Sequence, residues 1–175
     1  MATALRLTPN ESVVVRRSVP SVLEVEATYG PGGSPPPPHL HPRQSEHFEV
    51  LEGILRAQVS GEDRELRAGD TLDVPAGAVH RMWNPADIPA RVRWETTPRG
   101  RTEQWFEQLD ALQREGRVGR NGMPGPLALG VYLTEYSDTM ELALRPRFLV
   151  RGLLRLLNAI GRRRGYTPAA SGPSG

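Results

Sequence analysis

The chain has 175 residues with 22 basic and 20 acidic side chains, and its formal net charge of +2 favours no nucleic-acid partner. It contains no Cys and no Lys, so disulfides, cysteine nucleophiles and lysine Schiff bases are excluded. No apolar run reaches the roughly 18 residues of a transmembrane segment, and the first residues lack the apolar run of a signal peptide. We therefore expect a cytoplasmic protein without a transmembrane segment.

Strand patterns occupy the first hundred residues. Residues 12–18 and 22–28 are predicted to be the first strands, and the second of them alternates between apolar and polar side chains, which is the period of a half-buried strand. A Gly- and Pro-rich segment follows, and the four prolines Pro35 to Pro38 predict a stiff, extended edge without N–H donors. Further strands are predicted from residue 46 onward, over 54–59 and over 91–97, with a hairpin loop at 60–64.

After Pro98 the pattern changes to that of helices. Thr102 is predicted to cap a first helix that ends near Gly116, and residues 127–136 predict a second helix. A third, amphipathic helix is predicted to begin at Pro146 and to end before Gly165. One face of this third helix carries four apolar residues, here called the apolar stripe: Leu149, Leu153, Leu156 and Ile160.

The apolar stripe is predicted to be covered, because burying one such side chain contributes roughly 1.5–3 kcal/mol. We expect it to dock on the strand-rich part of the chain or on a second subunit, with the Arg residues of the opposite face in solvent. A membrane surface is the alternative, since seven Arg and no acidic residue follow Glu141.

Two sequence blocks between Gly33 and Asn84 carry all four histidines. In an extended strand His39 and His41 point to the same face, Glu46 follows a short bend, and His80 arrives from a second strand pair. Such a mixed nitrogen and oxygen set suits a divalent transition metal, and iron, manganese, nickel, cobalt and zinc all remain open. His47 is adjacent to Glu46 in an extended segment, so we expect it to face away.

The two blocks resemble the paired motifs of the cupin superfamily, G-x5-H-x-H-x4-E-x6-G and G-x5-P-x-G-x2-H-x3-N. Every fixed position is filled: Gly33, His39, His41, Glu46 and Gly53, then Gly69, Pro75, Gly77, His80 and Asn84. The resemblance implies a mainly β fold, a single antiparallel cupin barrel with a C-terminal helical extension. We place the barrel at residues 1–100, the extension at 101–166 and a flexible tail at 167–175.

The resemblance also implies a ligand set, and the sequence leaves its chemistry open. His39, His41, Glu46 and His80 are the implied metal ligands, and Glu46 is either a ligand or a general base. Phe48, Met82 and Trp94 are predicted to line the substrate pocket. The leading hypothesis is a metal-dependent enzyme of dioxygenase type that acts on a small molecule and forms a homodimer. The alternatives are a metal-dependent isomerase and a non-catalytic small-molecule binding or sensing barrel.

Overall fold

The computed structural model describes residues 3–119 and 122–168, and within them the chain forms eleven strands and three helices. The first strands are β1 (Ala4–Thr8), β2 (Glu11–Val19), β3 (Val22–Tyr29), β4 (His39–Leu40), β5 (Ser45–Glu52) and β6 (Ile54–Val59). They are followed by β7 (Glu62–Arg67), β8 (Thr71–Val74), β9 (His80–Trp83) and β10 (Ala90–Thr97). The last elements are α1 (Thr102–Arg114), α2 (Pro126–Glu135), β11 (Glu141–Leu142) and α3 (Arg147–Arg163).

The strands form two antiparallel sheets across the described residues. One sheet has the order β1-β2-β3-β10-β5-β8, and the other has the order β11-β4-β9-β6-β7. Side chains of alternating positions meet between the sheets, where Val25, Phe48, Leu55 and Val92 are at most 1% exposed. The predicted mainly β barrel with a C-terminal helical extension is confirmed.

Gly53 shows why the first motif ends in glycine. Its φ is +81°, in the left-handed region that glycine adopts without strain. A Cβ at this position would also lie 2.8 Å from the carbonyl oxygen of Pro89 and 2.9 Å from Ala90 Cα. The turn between β5 and β6 therefore excludes any side chain, and it lets β6 cross to the second sheet.

Two local predictions are wrong in detail. The predicted hairpin loop at 60–64 is a tight turn at Ser60 and Gly61, both with positive φ, and β7 already begins at Glu62. Thr102 does not cap the first helix: Arg101 is the N-cap residue and no side chain caps the helix. The Thr102 hydroxyl instead accepts a hydrogen bond from Gln44 Nε2 at 2.7 Å, so it links α1 to the barrel.

The predicted docking of the apolar stripe on the barrel is also wrong. Leu149, Leu153 and Leu156 are 56–58% exposed and Ile160 is 37% exposed. α3 instead packs on α2 through a second face, where Gly161 is buried against Leu127 and Val131. Coverage of the stripe by a second subunit or by a membrane surface stays a prediction.

Two further observations concern the C-terminal region. Among the residues that the structure describes, no helix is both long enough and apolar enough to cross a bilayer. The tail predicted at 167–175 lies outside the described residues from position 169 onward.

Candidate metal centre

Three histidines converge inside the barrel. His39 lies in β4, His41 follows this strand directly, and His80 opens β9. His39 and His80 are paired across the antiparallel β4–β9 ladder, so their rings lie side by side with centroids 4.4 Å apart. One ring nitrogen from each of the three imidazoles lies within 4.8 Å of the other two. This spacing allows one ion to contact all three.

Glu46 adjoins this cluster from the opposite sheet. It points inward from β5 and is 3% exposed. Its Oε1 lies 3.3 Å from His41 Nε2, and its Oε2 lies 3.0 Å from His80 Nε2. Trp94 Nε1 donates a hydrogen bond of 3.1 Å to Oε1, which fixes the orientation of the carboxylate. The structure therefore brings together all four residues that the sequence motifs singled out.

The backbone sets the tautomer of each imidazole. The Nδ1 atoms of His39, His41 and His80 face the carbonyl oxygens of Pro37, Thr139 and Ala78 at 3.4, 2.7 and 3.1 Å. Because a carbonyl oxygen only accepts hydrogen bonds, each neutral ring carries its proton on Nδ1 and leaves a lone pair on Nε2. This is the arrangement that orients metal-binding histidines in proteins.

The fit to a metal ion can be tested on one buried atom. His41 Nε2 is fully buried and makes no hydrogen bond of normal geometry within the described residues. A buried polar atom without a partner costs roughly 1–3 kcal/mol. A cation beside the Glu46 carboxylate would remove this penalty, so the donor set fits a divalent metal.

The C-terminal extension contributes directly to this site. Thr139, whose carbonyl oxygen holds His41, lies between α2 and β11. β11 pairs with β4, so that Leu142 lies opposite His39, and the Ala143 N–H donates to the Pro38 carbonyl at 2.9 Å. Sequence reasoning missed this contact, because a backbone carbonyl 98 residues away leaves no signal in a motif.

The ionisation of the cluster follows from burial and from mutual charge. Burial, followed by the neighbouring His80 and His41, lowers the pKa of His39 to about 3, so this imidazole is neutral. Burial alone would raise the pKa of Glu46, but His41 and His80 outweigh it and hold that pKa below its usual value. Burial opposes protonation of His80, whereas Glu46 raises its pKa above the usual value. The site thus combines a buried carboxylate with a neutral His39 and with a His80 whose protonated form Glu46 favours.

A cavity of about 360 Å³ is lined by sequence neighbours of His39 and His80, but none of the four candidate ligands lines it. Its apolar wall includes Pro36, Pro37, Met82 and Trp83, and Met82 lies two residues beyond His80 on the same face of β9. Phe48 and Trp94 do not line this cavity. They stack on each other below Glu46 with ring centroids 5.4 Å apart.

The cavity also contains a polar pair that the sequence did not single out. Glu11 and Tyr29 face each other across β2 and β3, and the Tyr29 hydroxyl donates a hydrogen bond to the Glu11 carboxyl group. Burial raises the pKa of Glu11 to about 7 although this hydrogen bond opposes the shift. The alternation in β2 places Glu11 on the inward face with Val13, and this was the available signal.

Other polar residues near the motifs serve the fold. His47 faces away from the cluster, as predicted, and its Nδ1 lies 2.7 Å from Asp73 Oδ1. Asn84 is buried, and its amide donates to the carbonyl oxygens of Tyr29 and Ile88 at 3.1 and 2.7 Å. A second cavity of about 320 Å³ between α2 and α3 shares no lining residue with the metal cluster.

Comparison with known proteins identifies the barrel. Residues 25–94, which contain all four candidate ligands, match the cupin domain family. The barrel is a cupin domain. KdgF from Halomonas sp. superposes with a TM-score of 0.53 at 21% identity, over 58% of this chain and 92% of that chain, a likeness that concerns the fold alone.

Two relatives with named roles resemble this cupin. The tetracenomycin polyketide synthase protein TcmJ of Streptomyces glaucescens is 33% identical over 90 residues, which are 51% of this chain and 54% of that protein. The chain therefore spans about half the length of this relative. The probable oxidoreductase virH of Hypocrea virens is 28% identical over 155 residues, which are 80% of this chain and 68% of that protein.

Proposed function

We propose that this cupin is a metal-dependent enzyme acting on a small organic molecule, with one divalent transition-metal ion held by His39, His41, Glu46 and His80. The observation that carries the proposal is the set of three imidazoles whose Nδ1 atoms all face backbone carbonyls. A packing role would not require three imidazole nitrogens within 4.8 Å of one another beside a buried carboxylate.

The reaction class that we favour is oxidation of dioxygenase type. A metal ion bound at such a site would supply a Lewis acid with open positions for an oxygen-bearing substrate or dioxygen. The name of virH, a probable oxidoreductase similar along 80% of this chain, supports this class over an isomerase. This ligand set does not select among Fe, Mn, Ni, Co and Zn, because coordination geometry and the availability of the metal in the cell decide which ion is bound.

The residues of the proposed metal site and of the cavity have separable roles. Trp94 holds the Glu46 carboxylate in place, and the ionised carboxylate is positioned to accept a proton from a substrate. Met82 and the Pro36–Pro37 wall form the apolar side of the cavity. Glu11 and Tyr29 offer hydrogen bonds on the other side. This lining suits an apolar molecule with a hydroxyl or carbonyl group, and the likeness to a polyketide synthase protein makes polyketides the first class to test.

The proposal includes the domain division, with the barrel at residues 1–100 and the extension at 101–166. Support comes from Thr139 and β11, which tie the extension to His41 and to β4. The extension then serves to fix the ligand geometry rather than to fold apart from the barrel.

The decisive experiment compares two imidazole deletions. We expect the wild type and His47→Ala to be purified with about one metal ion per chain, and His41→Ala to lack it, as measured by mass spectrometry of the metal content. Since a bound ion stabilises only the folded state, a chelator should lower the melting temperature of the wild type and of His47→Ala but not of His41→Ala. Equal metal content and chelator sensitivity in all three proteins would contradict the site.

Activity is tested separately on the metal-loaded wild type. Oxygen consumption with a panel of polyketide and phenolic compounds is the expected outcome for the dioxygenase reading. Isomerised products formed without oxygen consumption would support the isomerase. Compounds that bind without any turnover would support a non-catalytic binding protein.

A further inference from the structure

The third helix exposes its most apolar face. Around the apolar stripe, Phe148 is 74% exposed, and the stripe residues themselves are 37–58% exposed. Monomeric proteins rarely leave such a contiguous apolar surface in water unless it binds something. The stripe runs along four positions of one helix face, so the exposed surface is long and narrow rather than a scattered set of side chains.

The helix cannot bury this face on its own chain, because it already uses another one. Gly161 of α3 lies against Leu127 and Val131, and Leu157 covers Gly130 of α2. Successive residues of an α-helix are about 100° apart, so Leu157 points well away from its neighbour Leu156 in the stripe. The two apolar faces of α3 therefore need two different partners.

The charges around the stripe indicate what the second partner is. Seven Arg and no acidic residue follow Glu141. Arg147 and Arg151 form ion pairs with Glu141, and Arg162 forms one with Glu135, so these three Arg lie on the side of α3 that faces the protein. Arg163 and Arg164, three and four residues after Ile160, flank the end of the stripe. Within the described residues neither they nor Arg155 lie within 4 Å of an acidic group.

We propose that α3 docks this protein on an anionic lipid surface. An apolar stripe of Leu and Ile beside an Arg-rich flank is the pattern of helices that lie in the membrane interface. The stripe would enter the acyl boundary, and Arg155, Arg163 and Arg164 would bind lipid phosphates. A symmetric contact between two copies through the same face is less favourable, because it would bring two Arg-rich segments together without acidic partners.

The test uses the full chain and vesicles of phosphatidylcholine, alone or mixed equally with phosphatidylglycerol. We expect binding to the mixed vesicles only, weakened by salt. The double variant Leu153→Glu/Leu156→Glu should lose at least tenfold in binding, since both side chains leave the acyl boundary. Ile88→Glu is the matched control: Ile88 is 57% exposed on a barrel loop, and its replacement should leave binding unchanged.

A second pair of variants isolates the charge. Replacing Arg155, Arg163 and Arg164 by Gln should weaken binding by roughly fivefold for each Arg, since one basic residue near such a surface contributes about 1 kcal/mol. Replacing Arg56, Arg64 and Arg67 of β6 and β7 removes the same charge elsewhere and should have little effect.

Three outcomes would overturn the proposal. The first is binding to mixed vesicles that the Leu153→Glu/Leu156→Glu variant retains, and the second is no binding of the wild type to these vesicles. The third is a wild-type dimer that this variant dissociates while neither protein binds vesicles, which would assign the stripe to a second copy. Because the metal site is not involved, metal content in these variants reports separately on the proposed enzyme.

Discussion

The packing of α3 on α2 can be tested with two glycines of one helix. Gly161 lies at the α2 contact, where an added Cβ would be 2.7 Å from Val131 Cγ2 and 2.9 Å from the Leu127 carbonyl oxygen. Gly152 lies in the same helix, and an added Cβ there would meet nothing within 4 Å. Both positions are replaced by Ala.

Both substitutions improve helix propensity, but only Gly161→Ala also overpacks the contact with α2. Gly→Ala inside a helix stabilises by about 1 kcal/mol, because alanine loses less backbone entropy on folding. At position 161 the backbone oxygen of Leu127 cannot rotate away, so the helices must separate, and overpacking of this kind costs about 1–3 kcal/mol. We expect Gly152→Ala to be more stable than the wild type, and Gly161→Ala to be less stable than Gly152→Ala by about 1–3 kcal/mol.

Urea unfolding followed by circular dichroism measures both free energies of unfolding under the same conditions. Because both variants gain the same helix propensity, the difference between their free energies of unfolding reports the overpacking alone. If Gly161→Ala were as stable as Gly152→Ala, the close α2–α3 contact would not exist in solution, and α3 would not be held with its stripe outward.

Three further predictions concern the barrel. Glu11 has a folded-state pKa raised to about 7, so its contribution to stability is complete below pH 4.5 and is lost as the pH rises through 7. We expect Glu11→Gln to remove this loss and to be more stable than the wild type by roughly 1–3 kcal/mol at pH 8, measured by urea unfolding at pH 5 and 8. Trp94→Phe keeps the aromatic stack but removes the hydrogen bond to Glu46, so metal affinity in a chelator competition should fall about 10–100-fold. Gln44→Ala removes three buried contacts of Nε2 at 2.7–3.0 Å, including the one to Thr102, and should cost about 1–3 kcal/mol in free energy of unfolding. Unchanged values in any of these measurements would contradict the corresponding contact.

Local patterns were sufficient to predict most of the elements. The period-two alternation predicted β3 and β10 within one or two residues, and the helical period predicted α1, α2 and α3. These predictions are confirmed because each depends on which face of a short segment meets the core. Prediction of the turn after β6 was wrong because positive φ at Ser60 and Gly61 allows a shorter turn than the polar composition of 60–64 suggested.

For the candidate site, the sequence predicted which side chains come together but not the contacts that orient them. The spacing of His39, His41, Glu46 and His80 indicated one cluster, and these four side chains do meet. That they bind metal stays a prediction. The contacts that orient them come from Trp94 in β10 and from Thr139 beyond α2. Residues far apart in sequence supply these atoms, and their partners become defined only when both sheets and the extension are assembled.

The sequence by itself determined which residues of α3 share a face, because the helical period assigns every side chain an angle around the axis. It did not determine which apolar face packs inward, since the sequence offers two. The tertiary structure decided this through shape. Gly130 and Gly161 let the backbones of α2 and α3 approach closely along one face, so that face is buried. The bulkier stripe of Leu149, Leu153, Leu156 and Ile160 is left in solvent, because close packing rewards contact area and not hydrophobicity alone.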